Sequence, residues 1–201
     1  MSEIQEMTDL IHNLHGLDQK ITLAINSLNC PATDQIWQFF SDNSVWIPLY
    51  IAIAIMLVLR LGWKKGLIVI ASLAITFALC DFLSDMIKHI VNRLRPAYDT
   101  QMIQDGIRVL EKKGSLFGFF SSHAANTFGF AICSLIGFRN DRSRKWTGYG
   151  VLIFTWAFLV SMSRVFVGKH YMGDIMTGAI FGLVTGYLTG LLARIIVTRL
   201  R

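Results

Sequence analysis

Five stretches of this chain combine the length of a membrane-spanning helix with an almost complete lack of charge. Four of them contain no Asp, Glu, Lys or Arg: residues 43–59, 114–138, 146–163 and 175–193. The fifth, 66–87, is interrupted only by Asp81 and Asp85 near its end. A helix needs about 20 apolar residues to cross the hydrocarbon core, and roughly 17 still suffice. The pattern therefore predicts an all-α integral membrane protein.

The composition and length agree with this prediction. The chain is 53% hydrophobic with a mean hydropathy of +0.49, which is more apolar than a typical soluble domain. Its 201 residues leave room for one compact unit. We expect a bundle of about five transmembrane helices, near residues 44–61, 66–88, 121–138, 147–163 and 171–193.

The first 43 residues have a different character and are predicted to form a separate N-terminal segment, 1–43, ahead of a membrane domain, 44–201. The apolar stretch Ile21–Leu28 is too short to span a bilayer, and no basic-then-apolar pattern predicts a signal peptide. We expect amphipathic helices at the membrane interface, broken near Pro31. The alternative is a sixth, shallow or re-entrant helix.

The net charge of +6 is distributed in a way that predicts a topology rather than nucleic-acid binding. Ten of the 19 basic residues lie at alternate ends of successive spans: Arg60, Lys64, Lys65, Arg139, Arg142, Arg144, Lys145, Arg194, Arg199 and Arg201. Positive residues concentrate on the cytoplasmic side of a membrane. Loops 89–120 and 164–170 are therefore expected to face outward.

Five basic residues run against that rule, because they fall on the predicted outer side. Lys88, Arg93 and Arg95 follow the second span, while Arg164 and Lys169 bracket the last outer loop. Basic residues at helix ends also snorkel or neutralise lipid headgroups, which is the alternative interpretation. Their concentration beside two histidines favours an anion-binding site.

The histidines His123 and His170 strengthen the prediction of an anion site. Ser121, Ser122 and His123 lie where a span should begin, so free backbone N–H groups and the helix dipole favour a phosphate there. Asp174 follows His170 by four residues, so on a helix the carboxylate shares its face and can orient the imidazole. An N-cap serine and a structural His–Asp pair are the alternatives.

Three motifs in this region resemble the signature of the type 2 phosphatidic acid phosphatase (PAP2) family, which is related to the vanadium haloperoxidases. They read Lys88-x6-Arg95-Pro96, then Phe120-Ser121-Ser122-His123, then Ser163-Arg164-x5-His170-x3-Asp174. The second motif departs from the usual Pro-Ser-Gly-His, since Phe120 and Ser122 replace the proline and the glycine. This puts the local backbone geometry in question more than the reaction.

The resemblance implies a two-step hydrolysis of a lipid phosphate without a metal or other cofactor. His170 would attack phosphorus to form a phosphohistidine, oriented by Asp174, and His123 would protonate the leaving oxygen and then activate water. The phosphate would be held by five residues: Lys88, Arg95, Arg164, Ser121 and Ser122. The isolated residues Cys30, Cys80 and Cys133 predict neither a disulfide framework nor a metal site.

The substrate, the membrane and the oligomeric state are predicted less sharply. The small size favours a multi-pass enzyme of the bacterial inner membrane, with its site facing the periplasm, acting on undecaprenyl diphosphate or phosphatidylglycerol phosphate. Lipid A phosphatase is the close alternative, and a phosphate transporter or a vanadate-dependent haloperoxidase-like enzyme represents another class. The small-residue face of Gly178, Gly182, Gly186 and Gly190 predicts tight packing inside the bundle or, alternatively, a homodimer.

Overall fold

The computed structural model describes residues 2–200 as a helical membrane bundle and confirms the all-α prediction. Its helices, in chain order, are α1 Ser2–Asn26, α2 Pro31–Ser41, α3 Ile47–Leu61, α4 Trp63–Val91, α5 Thr100–Gln104, α6 Ser122–Phe138, α7 Thr147–Phe166 and α8 Met172–Arg199. Two 3-10 turns, Asn43–Trp46 and Pro96–Tyr98, complete the described secondary structure. Arg201, one of the ten basic residues used to predict the topology, lies outside the described residues.

Four helical segments are long and apolar enough to cross a membrane: Asn43–Leu61, Trp63–Val91, Thr147–Phe166 and Met172–Arg199. The remaining predicted span, 121–138, corresponds to α6, which has 17 residues and lies at the lower limit of spanning length. Twelve of its residues are buried, and it packs against α4, α7 and α8. The short helix is thus the centre of the bundle, and its longer neighbours surround it.

The glycine-rich face of α8 is what allows α6 to occupy the centre. A Cβ at Gly182 would lie 2.1 Å from the Ala125 carbonyl oxygen, and one at Gly186 would lie 2.2 Å from the Gly129 carbonyl oxygen. Only a hydrogen at these positions permits such close backbone contact. The face predicted either to pack or to dimerise is therefore filled by α6 within the chain. It is not available to a second copy.

The two ends of the bundle differ in the turns and helix ends that lie there. Gly62, with φ +80°, makes the tight turn between α3 and α4 at the end that carries the predicted inner basic residues. At the opposite end, Asn92 adopts a left-handed conformation, φ 52°, and ends α4. That end, here called the site end, collects the C-termini of α4 and α7 and the N-termini of α6 and α8.

The N-terminal segment lies across the site end. Its two helices are separated between Asn26 and Pro31, as predicted. The predicted boundary at residue 43 stays a prediction, but the contacts of α1 are specific. Polar residues at helical spacing bond to the loops of the site end: His15, Asp18, Gln19, Thr22 and Asn26. The apolar residues of the other face are exposed: Ile4, Met7, Leu10, Ile11, Leu14, Leu17 and Ile21.

Candidate active site

The candidate nucleophile, His170, is buried between a carboxylate and a guanidinium. Its Nδ1 lies 3.3 Å from Asp174 Oδ2, and its Nε2 lies 3.0 Å from an Nη of Arg95. His170 is only 1% exposed and Asp174 is fully buried. If Nδ1 carries the proton and donates it to Asp174, the lone pair on Nε2 accepts from Arg95. The Asp174 contact is the one that orients a nucleophilic imidazole, and Arg95 would have to release Nε2 before its lone pair could attack phosphorus.

Local structure explains why the carboxylate reaches the ring. α8 begins at Met172, so His170 lies just before the helix and Asp174 lies in its first turn. Asp174 Oδ2 accepts the backbone N–H of Tyr171 at 3.1 Å, in a capping contact that fixes the carboxylate. The predicted pairing of His170 with Asp174 is therefore present, with helix capping in place of a continuous helical face.

The electrostatics of His170 favour the neutral ring. Burial, followed by the nearby cations of Arg95 and Arg164, holds the pKa of His170 well below its usual value. A neutral imidazole retains the lone pair needed to attack phosphorus. The same burial and the same cations thus serve both the nucleophile and the binding of a phosphate.

The two motif arginines enter the site from different elements and are both buried. Arg95 is 8% exposed and donates to the Lys169 carbonyl at 3.2 Å and to Ser115 Oγ at 3.0 Å. Arg164 is 6% exposed and donates to the Ser41 carbonyl at 3.1 Å and also to the Ser41 hydroxyl. The Nε–H of each arginine is buried and has no hydrogen-bond partner among the described residues. Buried, incompletely paired cations favour an anion beside them.

The second histidine and the serines lie at the start of α6. Ser121 is the N-cap of α6, and its Oγ accepts from the Ala124 backbone N–H at 3.4 Å. The Ser121 backbone N–H donates to the Asp174 carbonyl at 3.1 Å, which joins the starts of α6 and α8. Ser122 and His123 lie in the first turn of α6. His123 lines a cavity of about 470 Å³ together with Arg164 and Glu111.

Lys88 lies half-buried in the last turn of α4, one turn before the chain leaves the helix. The segment that follows is extended and pairs with the loop before α6: the Arg95 backbone N–H donates to the Leu116 carbonyl at 3.0 Å, and Gly118 donates to the Arg93 carbonyl at 2.9 Å. All eight predicted site residues thus belong to segments that meet at the site end.

Sequence reasoning missed several contributors to this region. Ser41, Glu111 and Asp18 contact its members directly, and so does Arg93, which the sequence placed only in the outer basic cluster. Glu111 lies 3.6 Å from both Arg164 and Lys169, while Lys169 also donates to the Lys112 carbonyl. The only sequence signal for Arg93 was its charge on the outer side. Ser41 and Asp18 gave none, because both lie in the segment predicted to be separate.

Known proteins share this architecture and sequence. Residues 65–196 match the PAP2 superfamily model. The lipid A 4'-phosphatase of Bacteroides thetaiotaomicron is 32% identical over 194 residues, covering 96% of this chain and 84% of that protein. The undecaprenyl-diphosphatase of Sulfolobus acidocaldarius is 29% identical over 150 residues, covering 75% and 64%.

A solved structure agrees on the fold. The transmembrane PAP2-type phosphatidylglycerolphosphate phosphatase from Bacillus subtilis superposes with a TM-score of 0.73 at 20% identity, covering 94% of this chain and 90% of that one. The family model and the 32% identical relative together establish the family of this chain. This multi-pass membrane protein belongs to the PAP2 superfamily and is a phosphatase.

Proposed function

We propose that the enzyme removes a phosphate from a lipid A-type glycolipid at the outer face of the bacterial inner membrane, through a phosphohistidine on His170. The observation that carries the reaction is the buried contact chain from Asp174 through His170 to Arg95. It supplies an oriented, neutral nucleophile next to a guanidinium that can bind the phosphate under attack. The substrate and the orientation rest on the further arguments below.

In the first step, Nε2 of His170 attacks phosphorus while the bond to the leaving lipid oxygen breaks. Asp174 stabilises the positive charge that develops on the ring, and His123 gives its proton to the departing oxygen. In the second step, His123 takes a proton from water as that water attacks the phosphohistidine. The products are inorganic phosphate and the dephosphorylated lipid, and His170 returns to its neutral form.

The phosphate oxygens would be held by donors of the residues that meet at the site end. The unpartnered Nε–H groups of Arg95 and Arg164 are candidates, together with Lys88. Ser121, Ser122 and the first turn of α6 add hydroxyl and backbone donors. Such groups stabilise the charge that spreads over the equatorial oxygens in the transition state.

The cavity beside His123 supports a sugar-bearing leaving group. Its lining is polar and comes largely from the N-terminal segment: Gln38, Ser41, Asp42, Asn43, Glu111, His123 and Arg164. His123 is the proposed acid for the leaving oxygen, so the leaving group must lie against this wall. Amide, hydroxyl and carboxylate groups can hydrogen-bond to the hydroxyls of a glucosamine headgroup.

Relatives support the same choice of substrate. The sequence alone favours undecaprenyl diphosphate or phosphatidylglycerol phosphate, with lipid A as the alternative. The relative that covers more of the chain, at higher identity, is a lipid A 4'-phosphatase. Undecaprenyl diphosphate stays the second candidate, because a shorter match is an undecaprenyl-diphosphatase.

Phosphate release from a panel of pure lipids in detergent tests the proposal. The panel contains bis-phosphorylated lipid A, undecaprenyl diphosphate, phosphatidylglycerol phosphate and dioctanoyl phosphatidic acid, each with EDTA present. We expect the fastest release from lipid A, loss of activity in His170→Ala, and full activity in His12→Ala, an exposed histidine away from the site. Turnover by His170→Ala would overturn the nucleophile, and sensitivity to EDTA would overturn the metal-free reaction.

A second variant separates the substrate from the reaction. Asn43→Ala should raise KM for lipid A, because the sugar headgroup of this lipid would reach the cavity. The same variant should leave KM for dioctanoyl phosphatidic acid unchanged, because that lipid has no sugar. Equal effects on both lipids would contradict a sugar subsite. For the orientation, Arg142→Cys in a chain without its native cysteines should react only with reagents applied from the cytoplasmic side.

A further inference from the structure

A second arginine lies on the other side of the candidate nucleophile. One Nη of Arg93 donates to Asp174 Oδ1 at 2.7 Å, and the second Nη donates to Asp18 Oδ2 at 2.6 Å. The same guanidinium lies over the Tyr171 ring, 4.0 Å from its centroid. Arg93 therefore joins α1 to the carboxylate that orients His170.

The spacing in the sequence explains how the two arginines reach opposite sides of the imidazole. Residues 93–95 are extended, and residues two apart in an extended chain lie on the same face, about 6.6 Å apart. Arg95 contacts Nε2 of His170, where phosphorus would be attacked, and Arg93 reaches Asp174 behind Nδ1. With both terminal nitrogens of Arg93 engaged by carboxylates, this arginine is placed to hold the carboxylate rather than the phosphate.

Asp18, on α1, contacts two residues of the site end. Its Oδ1 accepts the Gly173 backbone N–H at 2.8 Å, while its Oδ2 binds Arg93. A Cβ at Gly173 would lie 2.6 Å from Asp18 Oδ2, so a side chain there would displace the Asp18 carboxylate from this contact. Asp18 thus fixes both the arginine that contacts Asp174 and the backbone residue before it.

We propose that Arg93 and Asp18 are positioning residues that hold Asp174 against His170, which makes the N-terminal helix α1 part of the catalytic framework. This inference rests on the proposed nucleophilic role of His170. Asp174 is fully buried, and a buried carboxylate is stable only with a compensating partner. Without Arg93 the carboxylate would keep its Tyr171 N–H contact on Oδ2 but lose its charged partner on Oδ1, and the alignment of the imidazole would weaken.

The test measures kcat and KM on bis-phosphorylated lipid A in detergent, with rapid-quench detection of the phosphoenzyme. Arg93→Gln should lower kcat and phosphoenzyme formation by roughly 10- to 100-fold, as for groups that orient metal ligands from behind, with KM nearly unchanged. Arg93→Lys should recover part of the loss. Asp18→Asn should show a smaller loss, and the double variant should be no worse than Arg93→Gln, because both act through Asp174.

Matched controls separate this effect from a general loss of structure. Asp9→Asn changes an exposed aspartate of the same helix, which contacts only Gln5 among the described residues. Arg108→Gln breaks another outer arginine–aspartate pair, to Asp34, that does not reach Asp174. Both controls should keep full kcat. Thermal unfolding of each variant confirms that it is folded.

Four results would overturn the inference, and a fifth would overturn the proposed nucleophile. A raised KM with normal kcat in Arg93→Gln would make Arg93 a substrate contact. Multiplying losses in the double variant, or an equal loss in Arg108→Gln, would indicate a general structural role. Normal activity in Arg93→Gln with an inactive His170→Ala would reject only the positioning role, whereas an active His170→Ala would reject the proposed nucleophile itself.

Discussion

Two arginine–aspartate pairs with almost the same shortest distance between nitrogen and oxygen lie at the two ends of this bundle. At the site end, Arg93 and Asp174 are 2.7 Å apart; at the opposite end, Arg60 and Asp141 are 2.6 Å apart. Each carboxylate also accepts a backbone N–H, from Tyr171 at one end and from Ser143 at the other. The contact distances alone do not reveal which pair belongs to an active site.

The third partner and the burial distinguish the two pairs. Asp174 also binds His170 and its side chain is 0% exposed, whereas Asp141 also binds the Ser143 hydroxyl and is 9% exposed. At the site end, the pair holds a carboxylate that contacts the imidazole of His170. At the opposite end, the pair joins α3 to the loop between α6 and α7. The same interaction thus holds a carboxylate beside the proposed nucleophile in one place and joins a loop to a helix in the other.

Breaking the site-end pair should have the largest effect. Asp174→Asn keeps the size of the side chain but removes the negative charge that stabilises a charged His170 ring. We expect kcat to fall by about 10³- to 10⁴-fold, comparable with the same change in a serine-protease triad. Lipid binding should survive, so KM should change little. A variant that retains more than a tenth of the activity would contradict the role given to Asp174.

Arg95→Gln sharpens the comparison, because it removes a charge from the other side of the same ring. Loss of one transition-state donor should lower kcat/KM by about 10²- to 10³-fold. The Arg95 cation also helps to hold the pKa of His170 low, so its removal should raise that pKa toward the usual value of about 6.5.

The sign of the pH effect follows from the need for a neutral nucleophile. A higher pKa means that His170 is protonated at a higher pH, so the acid limb of the kcat/KM profile should move upward in Arg95→Gln. Asp174, Arg164, Lys88 and Lys169 also face this region and stay in place. The wild type with the same lipid is the control for titration of the substrate. An unmoved acid limb would show that another group sets it.

The spans and the motif residues could be predicted because each depends on residues that are close together in the sequence. Charge-free length identifies a membrane helix, and 66–88 differs from the observed Trp63–Val91 by only three residues at each end. The motifs have fixed internal spacing, which places them at helix ends. Since successive spans alternate in direction, these ends meet on one side of the bundle.

The contributions of the N-terminal segment could not be predicted in the same way. Polar residues at helical spacing in α1 are typical of any amphipathic helix, and such a stripe ordinarily faces water. Here Asp18 faces Arg93, and Ser41 faces Arg164, because α1 and α2 lie over the loops of the site end. Those contacts join residues 75 and 123 positions apart. No local pattern specifies which distant surfaces meet.

Breaking the opposite pair should have the smallest effect on activity and a visible effect on acid stability. Hydrogen bonds from Ser143, followed by Arg60, lower the pKa of Asp141 to about 2, below its unfolded value of about 3.9. A lowered carboxylate pKa contributes stability that is complete above the unfolded value and is lost as the pH falls through the folded value. Asp141 lies at the end of the bundle opposite His170, so Asp141→Asn should keep kcat within about twofold, the size of effect expected far from the chemistry.

The stability measurement separates the two variants. The wild type should lose part of its thermal stability between pH 4 and pH 2, whereas Asp141→Asn should be less stable at neutral pH and lose less over that interval, because the titrating carboxylate is gone. Asp174→Asn, measured alongside, should show a large loss of turnover and a smaller change in acid stability. If Asp141→Asn abolished turnover while remaining folded, the two ends would be coupled, and the division of roles between the two pairs would be wrong.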